Sequence, residues 1–309
     1  MINLQKKLFS PKSIFVNERV ASYAFVVPAL AFFTLLILIP FIYSVWQSLT
    51  SYNLQRPEET GAFVGLDNYR QLLRNDPVFY RSLLNTFEFM FFGILIEIPL
   101  GFGIAILLQK LPHRIRRVVL ASITIPMILA PVAVGMIWKF LLNPQYGVIS
   151  YYLNYIGLTF EPVLSNPSTA LWAVRAIDIW QWTPFTILVF QAGLSAIPKE
   201  YLEAADVDGL SFWLKFRYVI LPALMPILII AILLRLLESF KIFDSVFILT
   251  EGGPGNATEM ATLYAHRNGF VKGDFSYAAA QVFILNYIVI LLCTVLFQFL
   301  RRRQDSAPA

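Results

Sequence analysis

Six long apolar segments alternate with polar segments along the 309-residue chain. They cover 23–46, 85–108, 118–141, 170–193, 219–249 and 278–300. Each is longer than the ~20 apolar residues with which a helix crosses a bilayer. The pattern predicts an all-α, polytopic membrane protein with six transmembrane helices.

Composition agrees with this interpretation, because 58% of the residues are hydrophobic and only 14% are charged, unlike a typical soluble domain. The alternation also predicts how the chain is divided. We expect an N-terminal cytoplasmic segment (1–20), a first transmembrane helix (21–46) and an outer loop (47–84). A permease core with five transmembrane helices (85–300) follows, containing a cytoplasmic loop (195–222), and a cytoplasmic tail (301–309) comes last.

The distribution of Lys and Arg predicts the orientation, since basic residues in short loops stay on the cytoplasmic side. Fourteen of the 24 basic residues lie in the segments predicted to be inside, and seven lie in those predicted to be outside. We therefore expect a multi-pass protein of the cell inner membrane with both termini in the cytoplasm. This anchoring accounts for the net charge of +5, so no nucleic-acid partner is expected.

The sequence contains no pattern typical of an energy-converting or catalytic site. The glycine-rich stretch 252–256 lacks the Lys and Ser/Thr of a phosphate-binding loop. His113 and His266 are isolated, and no nucleophile has a partner base. We therefore expect no catalytic residue, no metal and no cofactor on this chain, which is predicted not to be an enzyme.

A polar island at 195–222 interrupts the apolar pattern between the fourth and fifth segments. Pro198 favours a short helix over 199–207, with acidic residues near its N-terminus, where the helix dipole stabilises them. Gly209 predicts a left-handed break, and Ser211 can cap a second short helix. The island is therefore expected to be a rigid projection made of two small helices.

This island resembles the loop signature of inner-membrane permeases of binding-protein-dependent ABC transporters. The matching residues are Glu203-Ala204-Ala205, Gly209 after three intervening residues, Val219 after nine more, and Leu221-Pro222. The resemblance implies that the loop docks on an ATPase subunit, which binds ATP and Mg. Small Ala204 and Ala205 side chains would enter a groove there. The implied coupling residues are Glu203, Ala204, Ala205, Asp206, Asp208 and Gly209.

Four further segments, 63–69, 180–185, 192–194 and 250–255, look like the carbohydrate subfamily of these permeases, with Glu251 where Gly is usual. The resemblance to maltose, glycerol-phosphate and trehalose permeases implies a type I ABC importer permease fold and a sugar or polyol cargo. Besides the membrane lipid, it implies three kinds of protein partner: a second permease in the membrane, two cytoplasmic ATPase subunits and an extracytoplasmic binding protein.

Charged residues inside predicted spans are costly and indicate either a cargo pathway or mutual pairing. The fifth span carries four charges at three-residue intervals, a spacing that allows pairing along one helix. In the fourth span, Arg175 and Asp178 precede two tryptophans that suit either sugar contact or packing. Glu88 and Glu97, in the second span, are weaker candidates. The candidate pathway residues are Trp180, Gln181, Trp182, Arg235, Glu238, Lys241 and Asp244.

Two rival functions remain at this point. A stand-alone secondary transporter would use the intramembrane charges as an ion relay, but its expected internal repeat is not seen. An intramembrane enzyme would need a catalytic constellation, and none can be assembled. Gly101, Gly103 and Gly135 are predicted to be positions of close helix packing.

Overall fold

The computed structural model describes residues 18–59, 61–157 and 161–305. The predicted terminal segments 1–20 and 301–309 lie partly outside these ranges. Within them the chain is helical, and its only β-type pairings are two isolated bridges, Thr50 to Phe63 and Asn53 to Asp274.

Fifteen α-helices follow one another within the described ranges. They are α1 (Glu18–Phe33), α2 (Ile39–Ser48), α3 (Asp67–Asn75), α4 (Pro77–Gln109), α5 (His113–Ile123), α6 (Ile125–Ile128), α7 (Pro131–Leu141), α8 (Val148–Tyr155), α9 (Ala170–Ala196), α10 (Lys199–Val207), α11 (Phe212–Lys215), α12 (Leu221–Phe240), α13 (Asp244–Leu249), α14 (Ala261–His266) and α15 (Phe275–Asp305). Short π-helical turns join α1 to α2, α11 to α12, and α14 towards α15 (Thr34–Leu38, Phe216–Ile220, Arg267–Val271).

Helical segments occupy all six predicted spans, but they are not six uniform helices. In the part of the chain that the structure describes, four stretches are long and apolar enough to cross a membrane: Val26–Ser48, Pro77–Gln109, Phe212–Phe240 and Phe275–Gln298. The third predicted span is broken, because His113–Ile128 and Pro131–Leu141 meet at a bend of 93°. The fourth corresponds to α9, whose 27 residues reach about 40 Å at 1.5 Å per residue.

The prediction of one helix over 219–249 was wrong at its C-terminal end. α12 ends at Phe240, and α13 begins only at Asp244. The backbone of Lys241 donates to the Glu238 and Ser239 carbonyls, which closes the last turn. Lys241 and Asp244 therefore lie beyond the helix that carries Arg235.

The bundle is built around α4 and α9, and α12 packs against both. A buried apolar cluster that includes Phe190, Leu194 and Leu224 joins these helices near α10. The end of the bundle away from α10, here called the distal end, carries α3 and the loop between α13 and α14. There, α15 packs against α2, α3 and α14.

Two of the three glycines predicted to pack closely do so. A Cβ at Gly101 would lie 2.0 Å from Oγ1 of Thr186 on α9, and one at Gly135 would lie 3.1 Å from Cβ of Ile248. The prediction was wrong for Gly103, where a Cβ would meet no atom within 4 Å. The absent side chain of Gly101 therefore sets the α4–α9 distance.

Candidate coupling loop and central cavity

The helix predicted over 199–207 is α10, and local signals define both of its ends. Pro198 precedes it in extended conformation, with φ −57° and ψ 135°. Gly209 has φ +70°, the left-handed conformation that ends helices and that glycine adopts without strain. Oγ of Ser211 then accepts a hydrogen bond from the Leu214 amide at 3.5 Å and caps α11. The predicted two-helix projection is confirmed in these local features.

Most of the implied coupling residues lie on the surface of this projection. The exposed ones are Glu203, Ala204, Asp206, Asp208 and Gly209. Ala205 is only 3% exposed, so it packs within this chain, whereas Ala204 is free to meet a partner. Large apolar side chains lie beside the acids, with Tyr201, Val207, Phe212 and Trp213 all more than 60% exposed. An amphipathic surface of this kind is suited to a protein partner.

One ion pair stiffens the projection. Nζ of Lys215 on α11 lies 2.6 Å from Oδ1 of Asp206 on α10. The lysine is 17% exposed while the aspartate is 68% exposed, so the carboxylate keeps a face towards solvent. The pair joins the two short helices across the Gly209 break.

In the middle of the bundle, one arginine pairs with two carboxylates from different helices. Nε of Arg235 on α12 lies 2.8 Å from Oε2 of Glu97 on α4. Its Nη2 lies 2.8 Å from Oδ2 of Asp178 on α9. Less than a tenth of each side chain is exposed. Because a lone buried charge is very costly, these pairs hold the three helices in register.

The carboxyl group of Glu97 is only partly satisfied. Its Oε1 is buried and has no hydrogen-bond partner among the described residues. The ring of Trp182 lies beside the same arginine, with its centroid 5.3 Å from Cζ of Arg235. The ion-pair centre therefore keeps one unused carboxylate acceptor.

Five of the seven pathway residues predicted from sequence meet at a small cavity, here called the central cavity. Its volume is about 110 Å³, and Asp178 also lines it. The predicted residues at its wall are Trp182, Arg235, Glu238, Lys241 and Asp244. Glu238 and Lys241 form an exposed ion pair at 3.0 Å. That is one of the neighbouring pairs that the spacing predicted, but Arg235 pairs across helices instead, so the series of pairs does not extend to it.

The other two predicted pathway residues point elsewhere. Trp180 is 43% exposed and packs edge-to-face on Trp138, with ring centroids 5.4 Å apart. Gln181 is buried, and its Nε2 donates to the Leu129 carbonyl at 3.1 Å. That bond satisfies a carbonyl freed by the break between α6 and α7.

Arg175 does not use Asp178 as its partner, although the two are three residues apart. Its guanidinium lies 4.1 Å from the ring centroid of Trp172 and 5.3 Å from that of Phe92. Asp178 is already committed to Arg235. Glu97 was only a weak candidate from sequence. A buried Arg needs an acidic partner, and this need could have pointed to an acid on another span.

At the distal end, the segment 250–255 forms a tight turn. Glu251 stands where Gly is usual in similar permeases, and it adopts φ +51°. Its neighbour Gly252 has φ +85°, and a Cβ there would lie 2.0 Å from Oε2 of Glu259. The turn therefore tolerates Glu at its first left-handed position but requires Gly at the second.

Residues 97–306 match the family described as binding-protein-dependent transport system inner membrane component. This range holds α10, Gly209 and the three paired charges. The chain belongs to this family. It is therefore a multi-pass membrane permease of the ABC importer class, and a stand-alone secondary transporter is not favoured.

Individual relatives agree over nearly the whole chain. It is 36% identical over 269 residues to a probable ABC transporter permease protein, y4oQ, of Sinorhizobium fredii, covering 87% of this chain and 85% of the relative. It is 32% identical over 281 residues to the trehalose/maltose transport system permease protein MalF of Thermococcus litoralis, covering 91% and 93%.

Among solved structures, the fold resembles a chain of a bacterial alginate ABC transporter in complex with an alginate pentasaccharide-bound periplasmic protein. The TM-score is 0.80 at 20% identity, with 93% of this chain and 96% of that chain covered. The likeness confirms the predicted permease fold.

Proposed function

We propose that this permease is the transmembrane subunit of an ATP-driven importer for a sugar or a related polyol. The observation that carries the proposal is that one chain has both an exposed α10 projection and a central cavity lined by polar and aromatic side chains. The names of the relatives support the cargo class, since one is a trehalose/maltose permease and another an arabinooligosaccharide permease of Bacillus subtilis.

In this proposal α10 and α11 dock on an ATPase subunit in the cytosol, where ATP and Mg are bound. The exposed acids and large apolar side chains of the projection support a protein-binding role. ATP hydrolysis then occurs only in partner subunits, and both termini of this chain face the cytoplasm. The distal end faces outward and receives cargo from an extracytoplasmic binding protein.

The proposed cargo pathway passes the central cavity. Its volume of about 110 Å³ is below the 300–1,000 Å³ typical of small-molecule sites, so the pathway needs a second wall. A second permease subunit, related by pseudo-symmetry, supplies that wall. Trp182 offers an apolar face for sugar C–H groups, while Glu238 and Lys241 offer hydrogen bonds to hydroxyls.

Transport follows from rocking of the bundles. Closure of two ATPase subunits pushes the α10 projections of both permeases together, and the helices tied by Arg235 move as a unit. The cavity then opens to opposite sides of the membrane in turn. No bond of the cargo is made or broken on this chain.

The test is uptake by proteoliposomes that hold this permease, its partner permease, the ATPase and the binding protein. We expect accumulation of a radiolabelled sugar such as maltose or trehalose only with ATP inside, and none when the ATPase is omitted. Uphill uptake by this chain without a nucleotide-hydrolysing partner would overturn the mechanism. A complex that hydrolyses ATP but accumulates no member of a sugar and polyol panel would overturn the cargo class.

A further inference from the structure

A second, larger cavity of about 450 Å³ lies at the distal end and shares no lining residue with the central cavity. Here it is called the distal cavity. Eleven residues line it, and every one has a polar side chain. They come from the loop after α2, from α3, from the start of α4 and from the stretch 264–277. Its volume is within the range of small-molecule sites.

The floor of the distal cavity is a fully bonded carboxylate. Oδ1 of Asp76 accepts the Phe79 amide at 2.9 Å and thereby caps α4. Its Oδ2 accepts the hydroxyls of Tyr264 and Tyr277 at 2.7 and 2.6 Å. Burial, together with the bond to Asp76, raises the pKa of Tyr264 to about 12. The tyrosine remains neutral and donates, so the floor is rigid and presents two aromatic rings.

Backbone contacts fix one wall of the cavity before any ligand arrives. The Leu54 amide donates to the Gly273 carbonyl at 2.9 Å, and the Phe275 amide donates to the Tyr52 carbonyl at 3.1 Å. Gly273 has φ +72°, and a Cβ there would lie 3.2 Å from Cβ of Leu54. The two segments therefore approach closely because this position is glycine, and the wall is preorganised.

The opposite rim offers hydrogen-bonding groups that the protein does not use. Gln71 and Asn75 lie four residues apart on α3 and so share one face of that helix. Both are exposed, and neither side chain makes a hydrogen bond within the described part of the chain. Nζ of Lys272 lies across from them, 5.4 Å from the ring centroid of Tyr264.

The chemistry of the lining selects an uncharged ligand with many hydroxyls. Two cations, Arg56 and Lys272, are balanced by two carboxylates, Asp76 and Asp274, so the cavity has no net charge to attract an ion. Amides both donate and accept, as hydroxyl groups require. Five amide side chains line the cavity: Asn53, Gln55, Gln71, Asn75 and Asn268.

We propose that the distal cavity is a binding site for a neutral carbohydrate, separate from the central cavity. Under the proposed function, on which this inference rests, the site holds cargo at the outward mouth of the permease between its release from the binding protein and its entry into the pathway. Gln71 and Asn75 bind ring hydroxyls there.

The experiment measures sugar binding to the complete permease–ATPase complex in nanodiscs, without binding protein, by saturation-transfer-difference NMR. The probe is whichever of maltose and trehalose the reconstituted importer takes up. The test variant is Gln71→Met with Asn75→Leu, which keeps side-chain size but removes both amides. Arg74→Gln is the matched control, an exposed change on α3 outside the lining. Trp182→Ala reports binding at the central cavity.

We expect the double variant to bind about 25-fold more weakly, since each of the two lost hydrogen bonds weakens binding about fivefold. Arg74→Gln should retain the whole signal, and Trp182→Ala should lose only the part that the central cavity contributes. Binding that is lost only in Trp182→Ala, or no binding by an importer that does accumulate the sugar, would overturn the distal site and leave the proposed function intact. An importer that accumulates no carbohydrate overturns the proposed function itself. Co-elution of the ATPase confirms that each variant is assembled.

Discussion

Arg235 on α12 and Glu97 on α4 are 138 residues apart in sequence, yet their Nε and Oε2 atoms lie 2.8 Å apart in the buried centre of the bundle. With Asp178 from α9, they join the three helices that form the body of this permease. Under the proposed mechanism, these ties let the three helices carry a push at the α10 end to the central cavity as one unit.

The first prediction concerns this buried centre. Arg235→Met leaves two carboxylates without a cation and should destabilise the protein by about 3–5 kcal/mol. Adding Glu97→Gln and Asp178→Asn removes the unpaired charges, so the triple variant should recover most of the lost stability. Thermal unfolding of the detergent-solubilised protein measures both effects.

Lys241→Met is the control, because its pair with Glu238 is more than half exposed and contributes at most about 1 kcal/mol. If the triple variant, Arg235→Met with Glu97→Gln and Asp178→Asn, is as unstable as Arg235→Met alone, then lost packing rather than unpaired charge explains the lower stability.

The second prediction separates the two candidate tryptophans of α9. Trp182 lines the central cavity, so Trp182→Ala should remove one aromatic contact with the sugar. The KM for sugar uptake should therefore rise about three- to tenfold. Trp180 packs on Trp138, so Trp180→Ala should change KM less than twofold. Uptake kinetics in proteoliposomes decide the matter, and the reverse order would restore Trp180 as the pathway residue.

The third prediction compares two glycines on α4. Gly101→Ala places a methyl group against Thr186 and should cost about 1–3 kcal/mol through overpacking. Gly103→Ala meets open space and should gain up to about 1 kcal/mol, because Ala is the better helix former. Unfolding temperatures of the two variants are the measurement. Equal temperatures would show that α4 and α9 can separate without cost.

Local signals made the projection of α10 and α11 predictable from sequence. Pro198, Gly209 and Ser211 each influence only the residues next to them. The helix between Pro198 and Gly209 begins and ends at the predicted residues, 199 and 207. The partners of Arg235 were not predictable, because they depend on which faces of α4 and α9 meet α12. Three-residue spacing correctly indicated the pair between Glu238 and Lys241. It failed for Arg235, whose partners are the two acids on other helices.

The break in the third predicted span was also beyond the reach of the hydrophobic pattern. Its residues are apolar throughout 118–128 and 131–138, apart from a few hydroxyl groups. The hydrophobic pattern alone therefore indicated one continuous helix. Leu129 and Ala130 are extended, with ψ near 140°. Pro131 favours that conformation in the residue before it, and Gln181 on α9 then binds the freed Leu129 carbonyl.

The central claim is that α10 couples transport to ATP hydrolysis in a partner. Glu203→Ala removes an exposed carboxylate that has no ion-pair partner in the described chain, so folding should be unaffected. Glu200→Ala is the control, an equally exposed change on the same helix outside the family signature. Gly209→Ala provides a second probe, through strain at its positive φ.

The most direct measurement is ATP hydrolysis by the assembled complex in proteoliposomes, with and without the sugar-loaded binding protein. We predict that the Glu203→Ala and Gly209→Ala permeases still co-purify with the ATPase but lose the stimulation of ATP hydrolysis, by about tenfold or more, while Glu200→Ala keeps it. Full stimulation in both Glu203→Ala and Gly209→Ala would contradict the claim that this projection carries the coupling.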